Sequence, residues 1–190
     1  MRPDPAMTGS GEERIANDAY FTRDPQCVNR LADFFNFKGM CVLEPCAGVG
    51  HMVKDLRRWG AKVRAWDKVD HPGRLKNIEI RDFLLQRDIP AGIECIVTNP
   101  PFDQPAPFIR KALALLPNGH VAMLLRHEWM CGKGTRDGRQ ALLCSPRFKA
   151  YLPILGRPTW HEEVKNGPRH NYGWYVWVSV YHSGCASLWF

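Results

Sequence analysis

The stretch "MCVLEPCAGVGHMV" (40–53) changes its pattern twice and decides how the rest of the chain is interpreted. Its first five residues form an apolar run that ends in Glu44, which is typical of a short buried strand. Small residues then predict a tight turn, and "HMVKDLRRWG" (51–60) has the spacing of a helix that ends at Gly60. A strand, a turn and a helix in this order predict one unit of a parallel sheet.

The same alternation continues along the chain. Further strands are predicted at 62–67, 78–82, 95–99, 120–126, 151–155 and 172–180, and further helices at 24–37, 106–116 and 136–144. We therefore predict an α/β fold with a doubly wound, mostly parallel seven-stranded sheet whose last strand is antiparallel. Residues 1–17 are expected to form a flexible leader, and 18–190 a single domain.

Composition narrows the class of protein. The chain has 190 residues, 45% of them hydrophobic and 24% charged, which is ordinary for a globular protein. Its apolar runs are too short for a membrane span. Seven cysteines without a CxxC spacing indicate reduced thiols in a cytoplasmic protein. His120 and His127 flank one predicted strand without the spacing of metal ligands, so no metal site is predicted.

Charge indicates the kind of partner. The net charge is +7, and the segment 126–169 holds nine basic residues against four acidic ones. Such an excess favours a polyanion, although a solvated basic surface would have the same composition. A polar segment, 157–171, lies between the last two predicted strands and could reach over an active site. Within the basic segment 126–169 we expect substrate contacts by Arg126, Arg157, Trp160 and Arg169.

Polar side chains stand at the ends of four successive predicted strands. These residues are Glu44, Asp67, Asp82 and Asn99. In a doubly wound sheet the ligand lies at the carboxyl ends of the strands, so these four side chains predict a site at that edge. For any one of them the alternative is a structural role, because Asp and Asn often cap the next helix.

The glycine turn favours one class of cofactor. Gly48 and Gly50 let the backbone approach a ligand, but Val53 stands where a dinucleotide fingerprint has its third glycine. A carboxylate at Glu44 suits an ammonium group better than a pyrophosphate, which favours S-adenosyl-L-methionine over a nicotinamide cofactor. Asp67 would then bind the ribose, Asp82 and Phe83 would face the adenine, and the backbone of Cys46 would touch the cofactor.

The stretch "TNPPF" (98–102) ends the fourth predicted strand abruptly. Pro100 and Pro101 have no backbone N–H and cannot continue a central ladder. They hold Asn99 and Phe102 in a stiff turn at the edge where the cofactor is expected. Two carbonyl acceptors, from the Asn99 side chain and the Pro100 backbone, suit a planar amine that must become pyramidal before it can attack a methyl group.

Together, "LEPCAGVG", "WD", "RDF" and "TNPPF" resemble the motifs of class I S-adenosylmethionine-dependent methyltransferases. More narrowly, they resemble DNA N6-adenine methyltransferases with an N-P-P-[FY] motif. The resemblance implies that Asn99, Pro100, Pro101 and Phe102 form the catalytic turn. The upstream "DAYFTRDPQ" resembles a Y-x-T segment of that family, which implies cofactor contacts by Tyr20 and Thr22.

The substrate implied by the resemblance is adenine N6 in DNA. The tetrapeptide also occurs in enzymes that methylate RNA bases or protein glutamine, so these remain alternatives, as does an idle relative that only binds nucleic acid. Cytosine C5 methylation is excluded, because prolines stand where its cysteine nucleophile is required. Only about sixty residues follow Arg126, so we expect no large target-recognition insertion and a short recognition site.

Overall fold

A computed structural model describes residues 21–131, 138–158 and 170–179, together with the backbone of 187–188. The strands are β1 Cys41–Glu44, β2 Lys62–Asp67, β3 Ile78–Ile80, β4 Cys95–Thr98, β5 His120–Arg126, β6 Phe148–Pro153, β7 Tyr172–Trp177 and β8 Ser187–Leu188. The helices are α1 Gln26–Ala32, α2 His51–Arg58, α3 Pro105–Leu115, α4 Glu128–Cys131 and α5 Arg139–Leu143. A short 3-10 helix spans Phe83–Leu85.

The strands form one sheet in the order β3-β2-β1-β4-β5-β7-β6-β8. Strands β1 to β5 are parallel, whereas β7 runs antiparallel between β5 and β6. This arrangement confirms the predicted doubly wound α/β sheet of seven strands with an antiparallel seventh strand. The two-residue β8, which pairs parallel with β6, extends the predicted sheet.

Both faces of the sheet are covered, which explains the continuous apolar runs of its central strands. All four residues of β4 are buried. On one face the core includes Val28 and Leu31 of α1 and Val53 of α2. On the other face Phe108 and Ile109 of α3 belong to a separate core cluster.

The aromatic residues of β7 belong to the core. Trp174 and Trp177 are fully buried, and they lie in the two different core clusters. Each indole N–H has an acceptor: Trp174 Nε1 donates to the Cys27 carbonyl at 2.7 Å, and Trp177 Nε1 donates to the Leu142 carbonyl at 2.9 Å. These buried bonds tie β7 to α1 on one face and to α5 on the other.

The strand order reverses direction between β1 and β4, and this position determines where a ligand can bind. The chain passes from β1 to β2 on one side, whereas β4 leads to β5 on the other. The connections therefore diverge and leave a crevice outside the carboxyl ends of β1 and β4. Among the residues that the structure describes, no helix combines the length and apolar character needed to cross a bilayer.

Candidate active site

The turn after β1 depends on two glycines with left-handed backbones. Gly48 has φ +55° and Gly50, which precedes α2, has φ +98°. A Cβ atom on Gly50 would lie 2.5 Å from Leu75 Cδ1, and one on Gly48 would collide with the ring of Phe21. Both the backbone conformation and the lack of space therefore require glycine at these positions.

Asp67 joins this turn to the end of β2. Its Oδ2 accepts a hydrogen bond from the Gly48 N–H at 2.7 Å, and its Oδ1 accepts one from the Val69 N–H at 2.8 Å. His71 Nε2 lies 3.5 Å from the same Oδ1, and the His71 ring packs edge-on against Phe21. Asp67 therefore fixes the glycine turn while it also lines the cleft beside that turn.

Glu44 lies beneath the turn and is only 1% exposed. Its Oε1 accepts hydrogen bonds from the Thr98 hydroxyl at 2.6 Å and from the Cys46 N–H at 3.0 Å. Burial raises the pKa of this carboxyl to about 8, and nearby Asp67 adds to the increase. Its Oε2 has no hydrogen-bond partner in the described part of the chain. Glu44 thus links the glycine turn to the end of β4 and has one acceptor atom remaining.

The predicted catalytic turn directly follows β4. Asn99 Nδ2 donates to Thr22 Oγ1 at 3.1 Å, and Thr22 is buried. This bond engages the amide nitrogen, so Thr22 determines which way the side-chain amide of Asn99 faces. The guanidinium carbon of Arg126 lies 4.8 Å from the centre of the Phe102 ring, and the Tyr172 ring packs at 5.6 Å. The turn is therefore held at both ends by side-chain contacts.

One open cleft, with about 610 Å³ of empty space that includes solvent at its mouth, joins the glycine turn to the predicted catalytic turn. Its lining includes these residues predicted from the sequence: Cys46, Gly48, Asp67, Asp82, Phe83, Asn99, Pro100, Pro101 and Phe102. The structure thus brings five of the nine predicted cofactor residues and the four predicted catalytic residues to a single cavity at the switch point of the sheet.

Other predicted residues lie around this cleft rather than in its wall. Glu44, Gly50 and Thr22 are not among the lining residues. Glu44 and Thr22 instead make the hydrogen bonds to Thr98 and Asn99 described above. Arg157 is not among the lining residues, and its Nε donates to Asn171 Oδ1 at 3.2 Å. The predicted site residues Tyr20, Trp160 and Arg169 lie outside the described residues.

Asp82 also has the structural role that the sequence left open, because it caps a helix. Its Oδ1 accepts a hydrogen bond from the Leu84 N–H at 2.9 Å and caps the short 3-10 helix that begins at Phe83. The ring of Phe83 is buried and stacks on Phe108 at 5.5 Å. Asp82 thus has a structural contact and still lines the cleft.

Sequence reasoning missed several lining residues, among them Phe21, Lys68, Val69, His71 and Phe108. Phe21 is the middle residue of the Y-x-T segment, between the predicted positions Tyr20 and Thr22. The motif does not specify its middle residue, so no contact by Phe21 was predicted. His71 comes from the loop after β2, where no periodic pattern marks it. Within the described residues, no group of three or more His, Cys, Asp or Glu side chains is arranged to hold a metal ion.

Comparison with known proteins identifies similar folds. No protein-family model and no curated protein matches the chain. The 23S rRNA methyltransferase ErmE aligns with TM-score 0.59 and 19% identity over 84% of this chain and 69% of its own. A candidate S-adenosyl-L-methionine-dependent methyltransferase from Methanococcus maripaludis aligns with TM-score 0.55 and 14% identity, over 82% of this chain and 84% of that one.

A third solved structure is the methyltransferase subunit of a type I restriction-modification system from Streptococcus thermophilus. It aligns with TM-score 0.57 and 12% identity over 82% of this chain, which spans 43% of that subunit. Other matching structures carry different descriptions, including a candidate hemolysin. At these identities the likeness concerns the fold, which is the one seen in these methyltransferases.

Proposed function

We propose that this protein is an S-adenosyl-L-methionine-dependent methyltransferase that acts on an exocyclic amine, namely N6 of adenine in DNA. The observation that carries the proposal is the shared cleft, lined on one side by Gly48, Asp67 and Asp82 and on the other by Asn99 to Phe102. A cofactor and an amine that occupied the two sides would meet within it. The fold is also that of the methyltransferases described above.

The residues present fit the cofactor. Glu44 Oε2 is a buried acceptor with no partner among the described residues, as expected of a carboxylate reserved for an ammonium group. Asp67 and Asp82 keep unused lone pairs beside their backbone contacts and would accept bonds from ribose hydroxyls and the adenine. When bound, S-adenosyl-L-methionine would supply a methyl group on a positively charged sulfur.

The catalytic turn would prepare the amine. The lone pair of an exocyclic nitrogen is delocalised into its ring, so the nitrogen must become pyramidal before it can attack. Carbonyl oxygens of Asn99 and Pro100 that accept its two N–H bonds would favour this geometry and stabilise the developing positive charge. The prolines fix these acceptors before substrate arrives, which lowers the entropy cost of orientation. The methylated amine then loses one proton to water.

Phe102 would hold the base by stacking on its face, a contact worth roughly 1–3 kcal/mol. In duplex DNA the adenine would first have to leave the helix, whereas in a single strand it is already accessible. The net charge of +7 suits either polyanion. The DNA assignment comes from the N-P-P-F motif, whereas the rRNA methyltransferase with the same fold favours RNA as the second candidate.

The test is transfer of a labelled methyl group to duplex DNA, single-stranded DNA, RNA and protein in parallel, followed by nucleoside analysis. We expect N6-methyladenine in DNA from the wild-type protein and none from Asn99→Ala. Label in RNA or in protein glutamine would change the proposed substrate, whereas the proposed methyl transfer to a planar nitrogen would stand. A protein that binds the cofactor but labels none of the four would contradict the proposal.

A further inference from the structure

A second cleft lies beside the main one and shares a wall with it. It is open to solvent and has a volume of about 200 Å³, and its lining includes Phe102, Arg126, Glu128, Trp129 and Arg139. Phe102 lines both clefts, whereas the two arginines line only the second. The ring of Phe102 therefore separates the cleft assigned to methyl transfer from a neighbouring basic hollow.

Arg126, the last residue of β5, has an unsatisfied donor in this hollow. Its Nε is buried and has no hydrogen-bond partner among the residues that the structure describes. A buried donor without an acceptor costs about 1–3 kcal/mol, so an acceptor that entered this cleft and bonded to Nε would remove that cost. The guanidinium lies over the Phe102 ring, where a cation–π contact holds it in place.

Arg139, the first residue of α5, is held in a similar way. Its Nη1 donates to the Trp129 carbonyl at 2.7 Å, and its guanidinium carbon lies 5.3 Å from the centre of the Trp129 ring. Trp129 is fixed in turn by an edge-on contact with Tyr175 at 5.0 Å. The cleft therefore presents two guanidinium groups, each packed on an aromatic ring.

We propose that this cleft binds a backbone phosphate of the nucleic acid next to the target base, with Arg126 and Arg139 as its ligands. The inference rests on the proposed function. Guanidinium forks match phosphate oxygens in geometry and charge. A base stacked on the opposite face of Phe102 and its neighbouring phosphate would then lie on the two sides of one ring. Arg126 would orient the base indirectly, through Phe102 and the phosphate.

Among the described residues that line this cleft, Glu128 alone is acidic, and its charge opposes the binding of an anion. Its side chain is exposed, and its Oε1 lies 3.9 Å from His170 Nδ1. Because solvent screens an exposed carboxylate, it weakens the attraction of the two arginines without cancelling it. Removal of the Glu128 charge should therefore strengthen phosphate binding, whereas removal of either arginine should weaken it.

The experiment measures fluorescence anisotropy of a labelled adenine-containing single-stranded DNA of roughly 12 nucleotides over a series of salt concentrations. Each phosphate contact contributes about 0.7 to the slope of log affinity against log salt for single strands. We expect Arg126→Gln and Arg139→Gln each to reduce the slope by about 0.7, and Glu128→Gln to tighten binding at low salt. Arg58→Gln is the matched control, since this 70% exposed arginine ends α2 and lines neither cleft.

Arg126→Lys separates charge from packing, because it keeps the charge and should keep the slope. An equal loss in the Lys and Gln variants would assign the effect to packing and overturn the proposal. Wild-type slopes in both Gln variants of a protein that methylates nucleic acid would also overturn it, and the proposed function would stand. If the wild-type protein neither binds nor methylates nucleic acid, both proposals fall together.

Discussion

Replacing Glu44 with Gln should stabilise the protein at neutral pH, and the effect should depend on pH. Burial raises the pKa of this carboxyl from an ordinary value of 4.5 to about 8 in the folded state. Between these two values the unfolded chain has lost the proton that the folded protein retains. Stability therefore falls as the pH rises through this window and becomes constant above it.

The magnitude follows from the width of the window. At pH 7 the unfolded carboxyl is 2.5 pH units above its ordinary pKa of 4.5, so at 1.36 kcal/mol per unit the penalty is about 3 kcal/mol. Glutamine cannot ionise and removes this penalty, while its oxygen can still accept from the Thr98 hydroxyl and the Cys46 N–H. In a domain of this size the gain corresponds to roughly 6–12 °C in Tm.

The assay is thermal unfolding of the wild type and Glu44→Gln at pH 4, 5.5 and 7. The difference in Tm should be largest at pH 7 and close to zero at pH 4. Glu94→Gln is the matched control, because Glu94 also accepts a backbone N–H, from Cys41 at 2.8 Å, but is exposed. A gain that is absent at pH 7, or the same at all three pH values, would refute the assignment of Glu44 as a buried acid.

A second readout on the same variant tests the predicted ammonium contact. A carboxylate with a raised pKa would lose its proton when it meets a cation, since opposite charges favour the ionised form. We expect Glu44→Gln to bind S-adenosyl-L-methionine more weakly in calorimetry, although the variant is more stable. Unchanged affinity would leave Glu44 with its structural role alone, as the link between the glycine turn and Thr98.

The remaining predictions concern the cleft itself. Asn99→Ala should reduce the single-turnover rate by roughly a hundred- to a thousandfold, as expected for the loss of one preorganised dipole, while Asn99→Asp should be milder because it keeps an acceptor. Phe102→Ala should be intermediate and Phe102→Tyr near normal; a wild-type rate in Asn99→Ala would contradict the catalytic assignment. Asp67→Ala should weaken cofactor binding at least tenfold and also lower Tm, because the Gly48 N–H loses its acceptor. Unchanged affinity in a folded Asp67→Ala variant would remove Asp67 from the site.

The sheet could be predicted from the sequence because its strands and long helices have distinct periods. Strand β5 was predicted at the bounds that the structure shows, His120–Arg126. The helix predicted at 24–37 is shorter, since α1 spans Gln26–Ala32. Helix α4 has four residues, too few to show a helical period, and it was missed. A single turn of this kind is stabilised by tertiary contacts, which a sequence period does not reveal.

The site was predictable where it depends on the ends of strands and not where it depends on loops. Asp67 and Asn99 adjoin the carboxyl ends of parallel strands, whose convergence is a property of the fold. Phe21 and His71 reach the cleft from irregular segments, and their contact with each other is tertiary. The placement of Arg126 beside Phe102 likewise depends on how the chain continues after β5, which the charge pattern alone does not specify.

Two neighbouring residues connect the parts of the site that the sequence treats as separate motifs. Thr98 donates to Glu44, which ends β1 just before the glycine turn, and Asn99 donates to Thr22, which belongs to the segment before α1. Both bonds are between side chains, and Glu44, Thr98 and Thr22 are buried. The position of the proposed catalytic turn is therefore set by the same elements that are proposed to enclose the cofactor. In-line transfer requires this kind of fixed relation between donor and acceptor, since small displacements of the reacting groups are costly in rate. The hydrogen bonds that join the motifs thus provide the preorganisation that the proposed reaction needs.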